Sequence, residues 1–173
     1  SPCTNKRNDE YGGVIENRMK FPLRVLKAVK KAWPEGKPVS ARISATDWTE
    51  GGITEEEILK VAEMLKDNGV DIINVSTGQV VKEEEPVYGR MYQVPFADAI
   101  RNRAGIMTGA VGLITEAKQA EEIIESGKAD AVFIGREMMR NPYWALYAQA
   151  QLDGKSEHWP VQYKPASMDF SYT

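Results

Sequence analysis

The sequence has few of the features that mark secreted, membrane-spanning or nucleic-acid-binding proteins. Its 173 residues contain one cysteine, Cys3, which cannot form an internal disulfide and so predicts a reducing, cytoplasmic location. The apolar runs are no longer than a strand and no signal-peptide pattern opens the chain, so we expect no membrane span. The net charge of -3, from 22 Lys and Arg against 25 Asp and Glu, predicts no binding to nucleic acid. We predict no metal site.

Two glycine-ended apolar stretches are the most informative part of what is present. Residues 106–112 read IMTGAVG and residues 131–136 read AVFIGR, and each predicts a buried parallel strand ending in glycine where a helix is about to start. Glycine lets backbone N–H groups approach a ligand, and a helix start favours an anion. Arg136 adds a planar fork of donors directly after Gly135. The sequence therefore predicts a phosphate-type site at Gly112, Gly135 and Arg136.

Apolar periodicity predicts an α/β fold built from four βα units. Alternating strands and helices at about 30-residue intervals indicate parallel pairing through right-handed crossovers. A small doubly wound domain is one solution, but no G-x-G-x-x-G fingerprint follows the first strand and the first unit opens with a helix. The other solution is half of a (β/α)8 barrel, which we favour. The predicted strands are 39–43, 70–75, 106–111 and 131–134, and the predicted helices are 16–33, 54–67 with a capping box at 54–57, 94–102, 115–126 and 142–152.

Four motifs in the same order carry a resemblance to a known family. Residues 1–13 (SPCTNKRNDEYGG), with Glu16-Asn17-Arg18 after them, resemble the segment after the fourth strand of the old yellow enzyme family of FMN-dependent ene-reductases. Residues 40–44 (SARIS), 109–112 (GAVG) and 133–136 (FIGR) resemble the fifth, seventh and eighth strands. The similarity extends from residue 1 to about residue 163, and is closest to the bacterial branch and to the reductase-like domains of aryl-CoA hydroxylases. It implies the C-terminal half of a TIM barrel, with residues 1–173 as one domain and 164–173 as its C-terminal tail.

The resemblance also implies a role for each candidate site residue. Arg42 matches the arginine beside the flavin N1 and C2 oxygen, where it stabilises the charge of the reduced ring. Gly112 matches a backbone donor after the seventh strand, and Gly135 with Arg136 matches the phosphate clamp after the eighth. Taken from the residues alone, an arginine on a strand also fits a cap on a neighbouring carboxylate, and a strand-end glycine also fits a simple turn.

The function implied is that of the FMN-binding portion of an NAD(P)H-dependent oxidoreductase, in which flavin N5 passes hydride to a small activated alkene. In the family, the groups that anchor the substrate and donate the proton precede the Ser-Pro at which this sequence begins, so we assign no catalytic residue to the chain. Whether the chain is an enzyme by itself stays open. The alternative is a non-catalytic half-barrel whose strand edges make it self-associate or pair with an N-terminal half.

Three further segments contain polar or aromatic residues that could belong to a site. Two of them fit either a functional or a structural interpretation, and the third fits a structural one. Residues 88–93 (YGRMYQ) follow the second predicted strand, where active-site loops gather in barrels, and fit either a substrate pocket or an exposed loop. Asp47-Trp48, after the first predicted strand, has the same two readings. The polar side chains of the opening motif, residues 1–18, predict a network that fixes a loop rather than chemistry.

Overall fold

The computed structural model describes residues 1–155 and 157–166, and it contains a parallel sheet with helices between its strands. A π-helical turn covers Ile100–Ala104, and a 3-10 helix covers Val161–Ala166. Within the described ranges, no helix combines the length and the apolar character needed to cross a bilayer. The other elements are α1 (Ile15–Ala32), β1 (Ser40–Ser44), α2 (Glu55–Asp67), β2 (Ile72–Ser76), α3 (Val94–Ala99), β3 (Met107–Ala110), α4 (Ala117–Glu125), β4 (Ala131–Val132), α5 (Arg136–Arg140) and α6 (Trp144–Asp153).

The four strands pair in sequence order, and every pair is parallel. A doubly wound sheet reverses its strand order at a switch point, whereas this order runs β1-β2-β3-β4 without a reversal. Right-handed crossovers that all step in the same direction bring the helices to the same face of the sheet. The prediction of four βα units in half-barrel order is therefore confirmed, and the doubly wound alternative is wrong.

Most helix predictions agree with the structure to within two residues. The capping box of α2 is present, because the Glu57 N–H donates to the Thr54 hydroxyl and the Thr54 N–H donates to the Glu57 carboxylate. Pro22 lies inside α1. The predicted helix at 94–102 is α3 plus the π-helical turn, which ends at Gly105 in the left-handed region (φ 65°).

At the C-terminal end, the predicted bounds of one strand need correction. The fourth strand is shorter than the predicted 131–134, because regular pairing ends at Val132, although the Phe133 N–H still donates to the Ala110 carbonyl at 2.7 Å. Of the predicted tail, residues 164–166 belong to the 3-10 helix and residues 167–173 lie outside the described residues.

One face of the sheet packs against the helices and forms the core. Ile73, Val75 and Ala110 have no exposed surface, and they belong to the same apolar cluster as Ile58 and Leu65 of α2. Burying an isoleucine or valine side chain stabilises the fold by about 1.5–3 kcal/mol relative to exposure. These alternate strand residues therefore fix which face of each strand is turned towards the helices.

The opposite face of the sheet and one face of α1 leave apolar side chains uncovered. Met107 of β3 is 52% exposed and Phe133, just after β4, is 38% exposed. On α1, Phe21, Val25 and Val29 are 62%, 46% and 43% exposed, and their spacing of four residues places them on one face of the helix. In the part of the chain that the structure describes, β1 and β4 each have a neighbour on one side only.

The register of the sheet is held by the same device at two places. Asp71, just before β2, donates its N–H to the Val39 carbonyl (2.9 Å) and accepts the Val39 N–H on its carboxylate (2.7 Å). Asp130, just before β4, donates to the Thr108 carbonyl (2.8 Å) and accepts the Thr108 N–H (2.9 Å). Each aspartate thus binds both backbone groups of one residue on the neighbouring strand, which fixes the register of that pair.

Asp130→Ala is expected to lower the free energy of unfolding by about 1–3 kcal/mol, because the Thr108 N–H would lose its acceptor in a residue with no exposed surface. Asp130→Asn keeps a side-chain oxygen and should cost less. Urea unfolding followed by circular dichroism measures both variants. Equal stability of the parent and the alanine variant would contradict this role.

Candidate functional site

A cavity of ≈ 330 Å³ lies where the loops after β3 and β4 approach Arg42 of β1. The four residues that the sequence singles out, Arg42, Gly112, Gly135 and Arg136, all line it. They come from positions up to 94 residues apart in the sequence (136 minus 42) and meet because the strands are parallel. Carboxyl ends of parallel strands lie at one end of the sheet, where barrel enzymes place their active sites.

Arg42 lies on the uncovered face of the sheet and is fixed by a neighbour in register. Asn74 of β2 is its strand partner, and Arg42 Nη1 donates to Asn74 Oδ1 at 3.0 Å. No carboxylate within the described residues pairs with Arg42, so its guanidinium does not cap an acidic neighbour. Its charge therefore faces the cavity without internal compensation.

The two glycines of the cavity differ in what surrounds them. Gly112 has φ +119°, which favours glycine, and a Cβ there would lie 2.7 Å from Gln93 Nε2. Around Gly135 there is open space, since a Cβ would meet nothing within 4 Å. The expected helix start follows Gly135 directly, whereas α4 begins only at Ala117. Gly112 is therefore a loop residue, and no helix dipole adds to the backbone N–H groups there.

Arg136 opens α5, a helix of five residues. A helix this short contributes little dipole beyond its first backbone N–H groups, so a phosphate here would depend on the guanidinium. Arg140, which also lines the cavity, forms an ion pair with Glu137. Arg136 has no acidic partner among the residues described, so Arg136 and Arg42 together make the cavity cationic.

The loop between β2 and α3 reaches the cavity with two residues. Tyr92 and Gln93 line it, whereas Tyr88 is 63% exposed and packs edge-on against Tyr92 with ring centroids 5.3 Å apart. Burial raises the pKa of Tyr92, Tyr88 raises it further, and Thr77 and Arg136 oppose the shift. Within segment 88–93, Tyr92 and Gln93 therefore line the cavity, whereas Tyr88 belongs to an exposed part of the loop. Gln93 was named from the sequence only as the last residue of this segment, because a glutamine in a loop carries no periodic signal that would distinguish it from its neighbours.

Left-handed backbone is concentrated in the loops that follow the strands. Among the described residues, four that are not glycine have positive φ between 53° and 62°, a region that costs side chains energy. Every one lies between the end of a strand and the start of the next helix. They are Trp48 after β1, Gln79 and Met91 after β2, and Leu113 after β3.

Asp47 and the opening motif are structural. Asp47 is 1% exposed and accepts hydrogen bonds from the Ser1 hydroxyl (2.7 Å) and the Ile53 N–H (2.9 Å). In the opening motif, Asn5 Nδ2 donates to the Tyr11 carbonyl and Arg18 Nε donates to the Gly13 carbonyl. The prediction of a loop-fixing network is confirmed.

A larger cleft of ≈ 500 Å³, lined by Lys30, Trp33 and Asp71, lies near the start of β2 rather than at the strand ends. Lys30 donates to the Gly69 carbonyl at 2.8 Å, and the Asp71 carboxylate accepts a hydrogen bond from the Val39 N–H. Lys30 and Asp71 are therefore already used by the fold, whereas Arg42 and Arg136 have no carboxylate partner among the described residues. We accordingly take the smaller cavity as the candidate site.

Comparisons with known proteins identify the family of the chain. The sequence pattern of the NADH:flavin oxidoreductase / NADH oxidase family matches residues 1–155. An NADPH dehydrogenase of Geobacillus thermodenitrificans is 49% identical over 164 residues, which are 95% of this chain and 47% of that protein. An NADPH dehydrogenase of Listeria monocytogenes serotype 4a is also 49% identical, over 96% of this chain and 48% of its own.

Solved structures give the same result for the fold. A 2-naphthoyl-CoA reductase in complex with 2-naphthoyl-CoA superposes with a TM-score of 0.76 at 25% identity, covering 88% of this chain and 23% of that one. The chain spans about half the length of the curated relatives it matches. Because the family pattern covers most of the sequence, the resemblance to old yellow enzymes is confirmed, and the chain belongs to the NADH:flavin oxidoreductase / NADH oxidase family.

Proposed function

We propose that this chain forms the FMN-binding half of an NAD(P)H-dependent flavin oxidoreductase. The observation that carries the proposal is the meeting of Arg42, Gly112, Gly135 and Arg136 in one cavity that holds two guanidinium groups without carboxylate partners among the described residues. Membership of a flavin oxidoreductase family and the names of its NADPH dehydrogenase relatives support the same cofactor and reductant.

The residues present fit the two polar ends of FMN. Arg136 and the backbone N–H groups at Gly112 and Gly135 would hold the phosphate, and the open space at Gly135 leaves its backbone accessible. The partly exposed ring of Phe133 offers a flat apolar surface beside them. A cavity with an anion-binding end and an apolar wall suits a phosphorylated, planar ligand.

Arg42 would serve the ring of the cofactor. Bound FMN would supply hydride transfer from NAD(P)H to the β-carbon of a small activated alkene. Arg42, fixed by Asn74 at 3.0 Å, would stabilise negative charge at the N1 and C2 oxygen edge. Groups that anchor the alkene and donate a proton would come from the remainder of the barrel. The location in a reducing cytoplasm stays a prediction.

Arg136→Ala is expected to raise the dissociation constant of FMN about 10- to 100-fold, which corresponds to about 1.5–3 kcal/mol for a hydrogen bond to a charged group. Riboflavin lacks the phosphate, so its affinity should stay within twofold. Flavin fluorescence titration of the parent and the variant measures both constants. Arg103→Ala is the matched control, since Arg103 pairs with Glu55 away from the cavity. An FMN affinity unchanged by Arg136→Ala removes Arg136 from the site.

Arg42→Ala is expected to lower the two-electron midpoint potential of bound FMN by on the order of 30 mV, because the reduced ring would lose about 1.4 kcal/mol of charge stabilisation. Arg42→Lys should fall between the parent and the alanine variant. Anaerobic titration against a reference dye measures the potential. A midpoint that is the same in all three proteins contradicts the assignment of Arg42 to the ring.

A second candidate function is supported by the uncovered apolar surfaces. We propose that the chain can act as an assembly module, in which the face of α1 formed by Phe21, Val25 and Val29 packs against another copy or a complementary half-barrel. Unpaired outer edges of β1 and β4 favour the same association. In this role the chain alone would show little ene-reductase turnover.

We expect the 19.3 kDa chain to self-associate, and the pair of changes Phe21→Glu and Val25→Glu to shift it towards monomer, because charges would replace the apolar contact. Light scattering during size-exclusion chromatography measures the mass. Lys27→Glu, on an exposed position of the same helix, controls for added charge. NADPH oxidation with cyclohexenone is assayed on the same FMN-supplemented fractions. Rapid turnover by a monomeric parent chain would contradict this candidate.

A further inference from the structure

Gln93 is a buried polar residue inside the candidate site. It is 5% exposed, it lines the cavity together with Arg42 and Arg136, and it precedes α3 in the loop after β2. Its side-chain oxygen accepts a hydrogen bond from the Thr77 hydroxyl at 3.0 Å, and Thr77 is itself 8% exposed. One end of the carboxamide is therefore fixed within the fold.

The other end of the carboxamide lies beside Gly112. Gly112 is the cavity residue whose missing side chain would come within 2.7 Å of Gln93 Nε2. No acceptor for this nitrogen is found in residues 1–155 or 157–166, and it is not among the fully buried unpaired polar atoms of those residues, so it is accessible from the cavity. The amide thus presents two donor hydrogens next to a backbone that we assign to phosphate binding.

The surroundings of Gln93 are cationic. Arg136 is close enough to Tyr92, the residue before Gln93, to lower its pKa against the effect of burial. Glu137 is the acidic residue that lines the cavity, and its carboxylate is paired with Arg140. A donor in such a place suits an anion rather than a cation.

We propose that Gln93 is a positioning residue for an anionic ligand. Its Nε2 donates to the phosphate of FMN, while the Thr77 hydroxyl holds its Oε1. The inference rests on the proposed function and adds to it a group from a third loop. Because the donor is neutral and fixed, it would select the position of the phosphate without adding further charge to a site that already holds two cations.

The test compares Gln93→Glu with Gln93→Met by titrating FMN and riboflavin at pH 5 and pH 8. Methionine keeps the length of the side chain and removes the donors, so FMN affinity should fall about tenfold at both pH values relative to the parent. Glutamate adds a charge facing the phosphate, whose second pKa is about 6. Its effect on FMN should therefore be larger than that of methionine, and larger at pH 8 than at pH 5. Riboflavin affinity should stay within twofold in both variants.

Three outcomes overturn the inference. Equal losses for FMN and riboflavin would show that Gln93 only shapes the Gly112 loop, and an unchanged FMN affinity would show that it has no role. A penalty in Gln93→Glu that does not grow with pH would exclude a phosphate neighbour. Thermal melting of each variant identifies losses that come from unfolding, and Thr77→Val, which removes the hydroxyl but not Gln93, should show a smaller loss confined to FMN.

The failure of this inference can be told from failure of the proposed function. If Arg136→Ala weakens FMN binding and the Gln93 variants do not, only the inference is wrong. If Arg136→Ala has no effect, or the parent chain binds no FMN, the proposed function and the inference both fail.

Discussion

The parallel register of four consecutive strands is the constraint on which the rest of this structure depends. Hydrogen bonding between neighbours places Arg42 beside Asn74, Asn74 beside Gly109, and Gly109 beside Ala131, so the loops that follow all emerge at one end of the sheet. A shift of one residue in any pair would turn its core side chains to the opposite face. Buried alternate residues and the backbone bonds of Asp71 and Asp130 oppose such a shift.

The distribution of arginine partners separates structural charge from charge that is free to bind a ligand. Most arginines are neutralised by carboxylates of the fold, among them Arg18 by Glu57 and Arg101 by Asp130. Arg42 contacts an amide oxygen instead, and Arg136 has no acidic partner in the described ranges. Exposed ion pairs contribute little stability, so this pairing mainly reduces the number of arginines without a carboxylate partner. Among the described residues these are Arg42 and Arg136 at the cavity and Arg24, which donates to the Tyr11 hydroxyl elsewhere.

The same sheet geometry that brings the cavity residues together also leaves apolar surface uncovered. Parallel sheets are ordinarily covered on both faces, yet Met107 and Phe133 remain partly exposed on the face that carries Arg42. The apolar face of α1 is uncovered as well, and the chain spans about half the length of its curated relatives.

The sequence by itself determined the elements whose signals are local. Short apolar runs located the four strands, the Thr54–Glu57 capping box located the start of α2, and the strand-end motifs pointed to Gly112, Gly135 and Arg136, because each of these signals is encoded within a few neighbouring positions. Arg42 was expected only from the resemblance to a known family. Tertiary structure alone decided what depends on residues far apart: that regular pairing of β4 ends at Val132, that Gly112 lies in a loop five residues before α4, and that Gln93 is buried against it. Gln93 gains its significance only from contacts with Thr77 and the Gly112 loop, 16 and 19 residues away (93 minus 77 and 112 minus 93), and no pattern of adjacent side chains can report a contact made across strands.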